Sequence, residues 1–515
     1  MVTGKGSERV KAIMLQGTSS DVGKSVLCTA LCRIFYEDGW KVAPFKSQNM
    51  ALNSYITKAG EEIGRAQGVQ AEACRVEATA DMNPILLKPK KDMVAEVIVR
   101  GKHYADMEAS AYRNDYVPTA LPILRESLER LAEEYEILVM EGAGSPAEIN
   151  LKDRDIANMR AAQLADAPVL LVADIDRGGV FASLVGTLAL LDEEERARVK
   201  GFIINKFRGK FSILKPGLDW LEEHTGIPVL GVIPYADTGI EAEDSLALSS
   251  LQLKKQDEQP DSLQVHVIRL PRISNFTDAD PLYDEPGLNV RLVASAAEWK
   301  NPDIIIIPGT KNTIDDLEWL EQTGLAALIQ ESARRGAYVA GICGGYQMLG
   351  QTLHDPDKVE SDREESRGLG LLAIHTAFQE GKRTIRVAGK ASGADFAKNE
   401  AVSGYEIHLG RTEREEGALP LLTLEDGHTD GTISHDAKVW GTYLHGIFHN
   451  RSFTRGWLNQ IRSERGLPLL SIQVESESAR REASYAALAS LVREHLDMDR
   501  MYEIVGLGKK QETHR

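Results

Sequence analysis

Short apolar runs alternate with helical patterns twice along this chain, and this alternation restricts the fold more than any other feature. Between residue 10 and about residue 235, the apolar runs lie at 11–16, 41–45, 137–141, 169–174, 201–205 and 229–234. Most are continuous stretches of Ile, Val and Leu, as in strands that are buried on both faces of a parallel sheet. The sequence therefore predicts an α/β fold, with a doubly wound parallel sheet in residues 1–239.

A second alternation predicts another α/β domain. Its apolar runs lie at 265–270, 289–293, 304–307 and 337–342. The stretch 240–262 is polar and lacks long periodicity, so we predict a linker there. Residues 263–515 are assigned to the second domain, whose part after His445 has a helical pattern. The highly charged segment 355–367 is predicted to be a solvated loop.

Composition excludes several classes of protein. The net charge of −17 argues against a nucleic-acid partner, which would need a basic surface. The apolar runs are far shorter than the roughly 18 residues of a membrane span, and the first residues lack a signal-peptide pattern. The four cysteines include no C-x-x-C pair, which disfavours a disulfide framework and a zinc site. We expect a cytoplasmic protein without a membrane partner, and the sequence leaves a homo-oligomer open.

A glycine-rich turn, GTSSDVGKS, occupies residues 17–25 between a predicted strand and a predicted helix. Gly17, Thr18 and Gly23 would let backbone amides point at phosphate oxygens. Lys24 would bind the outer phosphates and Ser25 would offer its hydroxyl to Mg²⁺. Five residues separate the two glycines, one more than in the usual motif. The coincidence of strand, turn, Lys-Ser pair and helix favours a phosphate-binding loop over a plain glycine turn.

Polar residues follow several other predicted strands, where parallel sheets carry their active-site loops. Glu141 and Asn205 each end a strand, and Lys46 and Asn49 follow another. Asp174, in the segment ADIDRGG, would hold Mg²⁺ or substrate, or would form a surface salt bridge instead. Residues of these types at strand ends also serve as helix caps and turn formers.

Cys343 lies in GICGGYQ, at the end of an apolar run and between small residues. This pattern is typical of a nucleophile elbow, a sharp turn that exposes the reactive side chain. The alternative is a buried structural thiol, which is our interpretation of Cys28 and Cys32 on a helix face. A reactive thiolate needs a base, for which the chain offers His408, His435, His445 and His449.

The long phosphate loop resembles that of the dethiobiotin synthetase branch of phosphate-loop enzymes, which form acyl or carbamoyl phosphates. That resemblance implies that Glu141 binds Mg²⁺ and that Asn205 reads the adenine of ATP.

The cysteine segment resembles the class I glutamine amidotransferases, in which a histidine follows the cysteine by about a hundred residues. This resemblance selects His445 as the base. Most such enzymes have a glutamate two residues after the histidine, whereas this chain has Ile447. The third member of the catalytic group therefore stays open. The resemblance implies an oxyanion hole of backbone amides, for which we assign Gly344 and Gly309.

The two halves together resemble the corrin-amidating family of cobyrinate and cobyric acid synthases, particularly its cobyric acid synthase branch. The characteristic segments are FKSQNMALNS (45–54), EIGRAQ (62–67), DMNPILLKP (81–89), ISNFTDADPL (273–282), GICGGYQMLG (341–350) and SGYEIHLGRT (403–412). The resemblance implies amidation of four peripheral carboxylates of a corrinoid, adenosylcobyrinic a,c-diamide, with ATP, Mg²⁺ and glutamine. It also implies that the corrinoid site includes Lys46, Asn49, Asn53, Glu62, Arg65 and Gln67.

Two other functions stay open on the sequence. One is cobyrinate a,c-diamide synthesis or another glutamine-dependent carboxylate ligation. The other is a non-catalytic nucleotide-binding regulator with a vestigial glutaminase half. The intact Lys24–Ser25 and Cys343–His445 pairs argue against the regulator.

Overall fold

The computed structural model describes residues 10–91, 93–236, 261–472 and 477–508. The chain divides into two compact units. Unit 1 consists of Met1–Asp244 together with Ser476–Arg515, and unit 2 consists of Ser245–Glu475. Nearly all of the predicted linker, 240–262, lies outside the described residues.

Unit 1 is built around a parallel sheet, as the alternation of apolar runs predicts. Its six strands in the described part of the chain run in the order Val229–Pro234, Val199–Phe207, Val169–Asp174, Lys11–Gly17, Ile137–Glu141 and Val42–Phe45. Alternate side chains enter two separate apolar cores, one on each face of the sheet. Met14 and Met140 belong to one core, and Leu15 and Val139 belong to the other. This double burial explains why the strands are apolar at every position.

Helices cover both faces of this sheet. In the described part of unit 1 they are Lys24–Glu37, Arg65–Ala73, Ala109–Ala111, Val117–Glu134, Met159–Ala165, Val180–Leu190, Glu193–Arg198, Phe211–Thr225, Glu477–His495 and Met498–Val505. The first of them begins directly after Gly23 and carries the predicted apolar face, with Cys28 and Cys32 in the core. Both cysteines therefore have the structural placement that the sequence predicts.

The last two helices correct the predicted domain boundary, which placed all of 263–515 in the second domain. Glu477–His495 and Met498–Val505 belong to unit 1. Leu488 and Val492 lie in the same apolar core as Leu31, and Arg493 pairs with Asp38 at 2.9 Å. The apolar face of these helices is buried against the helix Lys24–Glu37, and their position at the end of the chain does not reveal this.

Two smaller sheets complete the described part of unit 1. One has the strand order Gln48–Met50, Ile85–Lys91, Val94–Val99 and Lys102–Glu108, and the other pairs Ser54–Ile56 with Glu62–Gly64. These strands carry the segments 45–54, 62–67 and 81–89. They therefore bring together segments that the family resemblance selected.

Unit 2 has its own, mostly parallel sheet. Its order in the described residues is Leu288–Val293, Leu263–Ile268, Ile304–Ile307, Tyr338–Ile342, Val439–Thr442 and Thr432–Ile433, and only the last strand is antiparallel to its neighbour. The helices in the described part of unit 2 are Asp280–Tyr283, Thr313–Gln322, Leu325–Arg334, Gly344–Met348 and Arg451–Glu464. The first four strands confirm the predicted second alternation to within two residues at each end.

A second sheet in unit 2 is dominated by two long antiparallel strands, Ile374–Ala391 and Ala401–Arg414. The shorter strands in it are Thr352–His354, Glu365–Arg367, Leu422–Leu424 and Thr429–Asp430. The prediction of a solvated loop over 355–367 is wrong in part. Asp355 is fully buried and its carboxylate accepts hydrogen bonds from the backbone N–H groups of residues 359, 360 and 361.

Within the described ranges, no helix is both long enough and apolar enough to cross a membrane.

Candidate active sites

The carboxyl edge of the unit 1 sheet gathers the residues of the predicted nucleotide site. Gly17 ends one strand and Glu141 ends its neighbour on one side, while Asp174 ends its neighbour on the other side. Asn205 lies near the end of the next strand. Parallel strands place these ends at one edge of the sheet, where the sequence predicts the nucleotide site, and the roles of these residues stay predictions.

Lys24 bends back over the phosphate loop. Its Nζ donates hydrogen bonds to the carbonyl oxygens of Ser19, at 3.0 Å, and Gly144, at 3.2 Å. A Cβ at Gly17 would lie 2.8 Å from this Nζ, so a side chain at Gly17 would displace it. The loop thus presents a positive charge at the start of a helix, where phosphate oxygens bind well.

Asn205 closes the other side of the loop. Its Nδ2 donates to the carbonyl oxygen of Val22 at 2.8 Å. Gly23 has a φ of 96°, and a Cβ there would lie 2.1 Å from the same Nδ2. Only glycine allows both this backbone conformation and this close approach. The structure therefore joins Asn205 to the loop, and its adenine-reading role stays a prediction.

Glu141 is buried and its carboxylate is the centre of a hydrogen-bonded cluster. Its Oε1 accepts hydrogen bonds from Ser25 Oγ at 2.8 Å and from Lys46 Nζ at 2.7 Å. Its Oε2 accepts one from Gln70 Nε2 at 2.7 Å. Sequence reasoning missed Gln70, although it lies three residues after Gln67 and thus on the same side of a helix.

The hydroxyl of Ser25 and the carboxylate of Glu141 are oxygen donors of the kind that Mg²⁺ prefers. Among the described residues, no group of three or more His, Cys, Asp or Glu side chains could hold a metal by itself. Mg²⁺ commonly takes one or two protein oxygens together with substrate phosphates. The pair therefore fits a phosphate-assisted Mg²⁺ site.

Asp174 has a different environment from Glu141. Its Oδ2 pairs with Lys206 Nζ at 3.0 Å and with Arg177 Nε at 3.6 Å. Its Oδ1 accepts the backbone N–H of Asp176 at 2.8 Å. These contacts favour the salt-bridge alternative over the Mg²⁺ role, because the carboxylate is already bound by two cations.

The predicted corrinoid residues form a buried polar cluster. Asn49 Nδ2 donates to Gln67 Oε1 at 3.0 Å. Glu62 accepts hydrogen bonds from Ser54 Oγ and from Lys88 Nζ, each at 2.6 Å. Lys88, which sequence reasoning missed, belongs to the segment DMNPILLKP and is fully buried. Burial of a lysine is tolerated here because the carboxylate of Glu62 compensates its charge.

Asn53 lies in the same region, and its side chain is fully buried. Within the described part of the chain, neither its Oδ1 nor its Nδ2 has a hydrogen-bond partner, and the same holds for Gln67 Nε2. Buried amide groups without partners are costly, and a bound ligand would supply the missing hydrogen bonds. Arg65 lies beside them, with its guanidinium 5.7 Å from the ring centroid of Tyr55.

In unit 2, Cys343 adopts the strained backbone of a nucleophile elbow. Its φ is 53° and its ψ is −110°, between the strand Tyr338–Ile342 and the helix Gly344–Met348. A Cβ at Gly345 would lie 2.0 Å from the carbonyl oxygen of Ile307, so the turn requires glycine there. The thiol donates to the carbonyl oxygen of Ile407 at 3.5 Å. This is the geometry that the segment GICGGYQ predicts.

His445 is fully buried and is held by Asp278. The Nδ1 of His445 lies 2.6 Å from Oδ2 of Asp278, and the backbone N–H of Gly446 donates to Oδ1 of Asp278 at 2.8 Å. Burial lowers the pKa of His445, but the charge and hydrogen bond of Asp278 and the nearby Cys343 together raise it to about 10. Asp278 thus lies where it can supply the acid that is absent at Ile447. The sequence signal was its place in the segment ISNFTDADPL.

The two glycines assigned to the oxyanion hole lie beside this pair. A Cβ at Gly309 would be 3.2 Å from Cε1 of His445. A Cβ at Gly344 would be 3.2 Å from the backbone nitrogen of Thr310. Both backbones therefore approach the Cys343–His445 region, as an oxyanion hole requires, and their role stays a prediction.

His408 was a rival for the catalytic base and takes another position. Its ring stacks on Tyr443 at a centroid distance of 3.7 Å, and its Nδ1 contacts the carbonyl oxygen of Gly410 at 2.7 Å. Its Nε2 lies 3.7 Å from Oε2 of Glu406. Asp278 holds the ring of His445, and both Asp278 and Cys343 raise its pKa. His445 is therefore the better candidate for the base.

Each of the two units matches the model of a known protein family. Residues 13–247 match the model of the CobQ/CobB/MinD/ParA nucleotide binding domain. Residues 264–453 match that of the CobB/CobQ-like glutamine amidotransferase domain.

Several relatives that match over nearly their full length are cobyric acid synthases. A cobyric acid synthase of Desulforamulus reducens is 52% identical over 510 residues, which cover 97% of this chain and 99% of that protein. Those of Geobacillus thermodenitrificans and Dehalococcoides mccartyi are each 51% identical, over 96% and 97% of this chain and 98% and 99% of their own lengths. These matches make the chain a glutamine-dependent, ATP-using ligase that acts on small molecules. Identity at this level over nearly the whole length shows that the chain belongs to the cobyric acid synthase family.

Proposed function

We propose that this chain converts adenosylcobyrinic a,c-diamide into adenosylcobyric acid by amidating its b, d, e and g carboxylates. The observation that carries the proposal is the full-length identity of 50–52% with several cobyric acid synthases. The two sites described above support it, because one can liberate ammonia from glutamine and the other can activate a carboxylate with ATP.

In unit 2, the sulfur of Cys343 attacks the side-chain amide carbon of glutamine. A thioester forms and the amide nitrogen leaves as ammonia, after which water hydrolyses the thioester to glutamate. With a pKa of about 10, His445 holds a proton at neutral pH. A protonated imidazole beside the thiol favours the thiolate and can give its proton to the departing nitrogen.

Asp278 keeps His445 in position during these steps. Its Oδ2 accepts from Nδ1, which leaves Nε2 as the nitrogen that serves the reaction. Backbone amides of Gly344 and Gly309 would bind the oxygen of the tetrahedral intermediate, where negative charge develops. Gly344, Gly309 and His445 are all buried, so little water competes for the hydrogen bonds to this oxygen.

In unit 1, the phosphate loop and Lys24 bind the phosphates of ATP. A corrinoid carboxylate attacks the terminal phosphorus, ADP leaves and an acyl phosphate forms. Ammonia then attacks the acyl carbon and phosphate leaves, which yields the amide. Mg²⁺, held by Ser25 and Glu141, would neutralise phosphate charge in this site. Lys46 lies within 2.7 Å of Glu141 and adds a further positive charge at the same place.

The buried polar cluster of unit 1 would face the corrinoid. Its periphery carries amide and carboxylate side chains, which need both hydrogen-bond donors and acceptors. The unsatisfied amide atoms of Asn53 and Gln67 offer both. Asn49, Glu62 and Arg65 lie in the same cluster and complete the proposed site.

The test is incubation of the full chain with the corrinoid, ATP, Mg²⁺ and glutamine labelled with heavy nitrogen at its amide. Mass spectrometry is expected to show four successive amidations, each of which exchanges a hydroxyl for a labelled amino group. Preference for cobyrinic acid, with product formation ending at a diamide, would instead identify a cobyrinate a,c-diamide synthase.

A further inference from the structure

Two histidines lie side by side on the open face of the second sheet of unit 2. His354 belongs to the strand Thr352–His354, and His375 belongs to the neighbouring strand Ile374–Ala391. Leu353, between the first two of these positions, is buried in the apolar core. Because side chains alternate along a strand, His354 projects from the other face. Both imidazoles are half-buried, and the reactions proposed for the chain use neither of them.

The hydroxyl of Thr352 stands between the two rings. Its Oγ1 lies 3.0 Å from Nε2 of His354 and 2.7 Å from Nδ1 of His375. Two imidazole nitrogens and one hydroxyl oxygen therefore meet at one place on the sheet. A tetrahedral metal ion with bonds of about 2.0–2.1 Å needs neighbouring ligand atoms about 3.3 Å apart. Small rotations of the two half-buried side chains can supply this spacing.

The other nitrogen of His375 has the partner that a metal-binding histidine needs. Its Nε2 lies 3.0 Å from Oε1 of Glu415. An ionised carboxylate can only accept a hydrogen bond, so Nε2 carries the proton and Nδ1 presents its lone pair towards Thr352. Metal-binding histidines commonly donate their second N–H to a carboxylate, which fixes the ring and makes the ligating nitrogen more basic. The ring of His375 is thus already oriented for a metal ion on the side of Thr352.

Further carboxylates lie next to the two rings. Glu365 is directly opposite His354 in the strand pairing, and Glu413 is directly opposite His375. Directly opposite residues share a face of the sheet and have Cβ atoms about 4.5–5.5 Å apart. Both carboxylates are exposed, so either can turn towards an ion that the rings hold. Arg367, on the same edge of the sheet as Glu365, adds a positive charge.

We propose that His354 and His375 bind a divalent transition-metal ion such as Zn²⁺, with the hydroxyl of Thr352, a carboxylate or water in the remaining positions. Imidazole nitrogen is a ligand that Zn²⁺ prefers, whereas Mg²⁺ prefers oxygen. His354 would bind through Nε2 in the neutral form that carries its proton on Nδ1. The ion would join two neighbouring strands and so stabilise the folded sheet. None of these residues belongs to the two candidate active sites, so the inference does not depend on the proposed function.

The test measures Zn²⁺ binding to the full chain, prepared without a histidine tag, by isothermal titration calorimetry. Excess Mg²⁺ is present to saturate oxygen-rich sites. Zn²⁺ is expected to bind at micromolar concentration and to raise the unfolding temperature of the chain. His354→Asn and His375→Asn should each lower the affinity by at least about 100-fold, because a ligand is lost, and Glu415→Gln should lower it by about 10-fold.

Two further variants serve as controls. His428→Asn removes an exposed histidine of the same unit, whose Nδ1 lies 3.2 Å from a carboxylate oxygen of Asp426. It should keep the affinity for Zn²⁺, because a single histidine–carboxylate pair does not make the site. Cys343→Ala should keep it as well, since the proposed site has no thiolate ligand. In EDTA, all the variants should unfold close to the temperature of the unsubstituted chain, which shows that they fold.

Zn²⁺ binding that persists at full affinity in both His354→Asn and His375→Asn would overturn the inference, because the ion would then lie elsewhere. Loss of the binding in Cys343→Ala would overturn it too, since the reactive thiol would be the ligand. Failure of the unsubstituted chain to bind Zn²⁺ at submillimolar concentration would likewise end it. Each of these results would leave the proposed amidation reaction intact, because that reaction is measured by its corrinoid product.

Discussion

Asp278 Oδ2 lies 2.6 Å from Nδ1 of His445, although 167 residues separate the two in the chain. The position where most class I glutamine amidotransferases carry a glutamate is occupied here by Ile447, which is fully buried. The second carboxylate oxygen of Asp278 accepts the backbone N–H of Gly446, at 2.8 Å. Two hydrogen bonds thus fix the carboxylate against both the ring and the backbone of the turn that carries it. We therefore expect Asp278, from another segment, to take the role of that glutamate.

Replacing Asp278 by Asn tests this relationship. The amide has nearly the same shape but no charge, so the pKa of His445 should fall and its ring orientation should no longer be fixed. Glutamine-dependent amidation is expected to drop by about 100- to 10,000-fold, by analogy with the acid of a serine protease triad. Ammonium-dependent amidation should persist, because unit 1 performs it. The measurement is the initial rate of amide formation with each nitrogen source.

The control for this substitution is Asp284→Asn, which changes an exposed carboxylate two residues after the segment ISNFTDADPL. It should keep both activities. Equal loss of the glutamine-dependent and ammonium-dependent rates in Asp278→Asn would point to a folding defect and would contradict a specific role beside His445.

The strands could be predicted from the sequence because burial on both faces requires a continuous run of apolar residues. The strand Ile137–Glu141 has no exposed position, and its predicted bounds agree with the structure. The phosphate loop and the cysteine turn leave a local signal as well, because each is a short run of small residues between a strand and a helix, and Gly23 has a positive φ.

Contacts between segments that are distant in the chain produce no such pattern in the sequence. No periodicity could pair Asp278 with His445, nor show that Leu488 packs in the core of unit 1 with Leu31. Asp355 illustrates another limit of pattern reading. A run of charges predicts exposure, yet this carboxylate is buried because three backbone N–H groups replace its water.

His266 should make the chain sensitive to acid. It is fully buried beside Trp299, and burial, together with the charge of Arg291, lowers its pKa to about 4. The unfolded chain takes up this proton near pH 6.5, whereas the folded chain resists it until about pH 4. The stability that the neutral ring contributes is therefore present above pH 6.5 and is lost as the pH falls toward 4. The loss amounts to up to about 3 kcal/mol, since each unit of pKa is worth about 1.4 kcal/mol.

His266→Phe keeps a ring in this position and removes the titration. The free energy of unfolding, measured with denaturant between pH 4 and pH 7, should fall less steeply with decreasing pH in this variant. The difference in slope should correspond to about one proton, the one that His266 no longer takes up on unfolding. His435→Asn, at an exposed position, should leave the slope unchanged. An identical slope for His266→Phe and the unsubstituted chain would rule out His266 as the source of acid sensitivity.

Lys24→Ala should abolish amidation with either nitrogen source. The ammonium group of Lys24 stands over the phosphate loop, and acyl phosphate formation precedes the attack of ammonia in both cases. A loss of about 100-fold or more is expected, as for other preorganised charges at phosphoryl-transfer sites. Release of glutamate in the absence of ATP is a separate readout, and Lys24→Ala should not lower it. Lys58→Ala, at an exposed position of the same unit, serves as the control. Near-normal ammonium-dependent amidation in Lys24→Ala would show that the phosphate loop is not the ATP site.

Cys343→Ala should separate the two halves of the reaction. If Cys343 only liberates ammonia, the variant loses glutamine-dependent amidation and keeps activity with a high ammonium concentration. The substitution leaves Lys24 and Glu141 untouched, since both belong to unit 1. His445→Ala should lose less, because the amides of the turn still favour a partial thiolate at Cys343. Cys28→Ala removes a buried thiol from the helix after the phosphate loop and should keep glutamine-dependent activity. Full glutamine-dependent activity in Cys343→Ala would require another nucleophile, and no other described cysteine has a positive φ at the end of a strand.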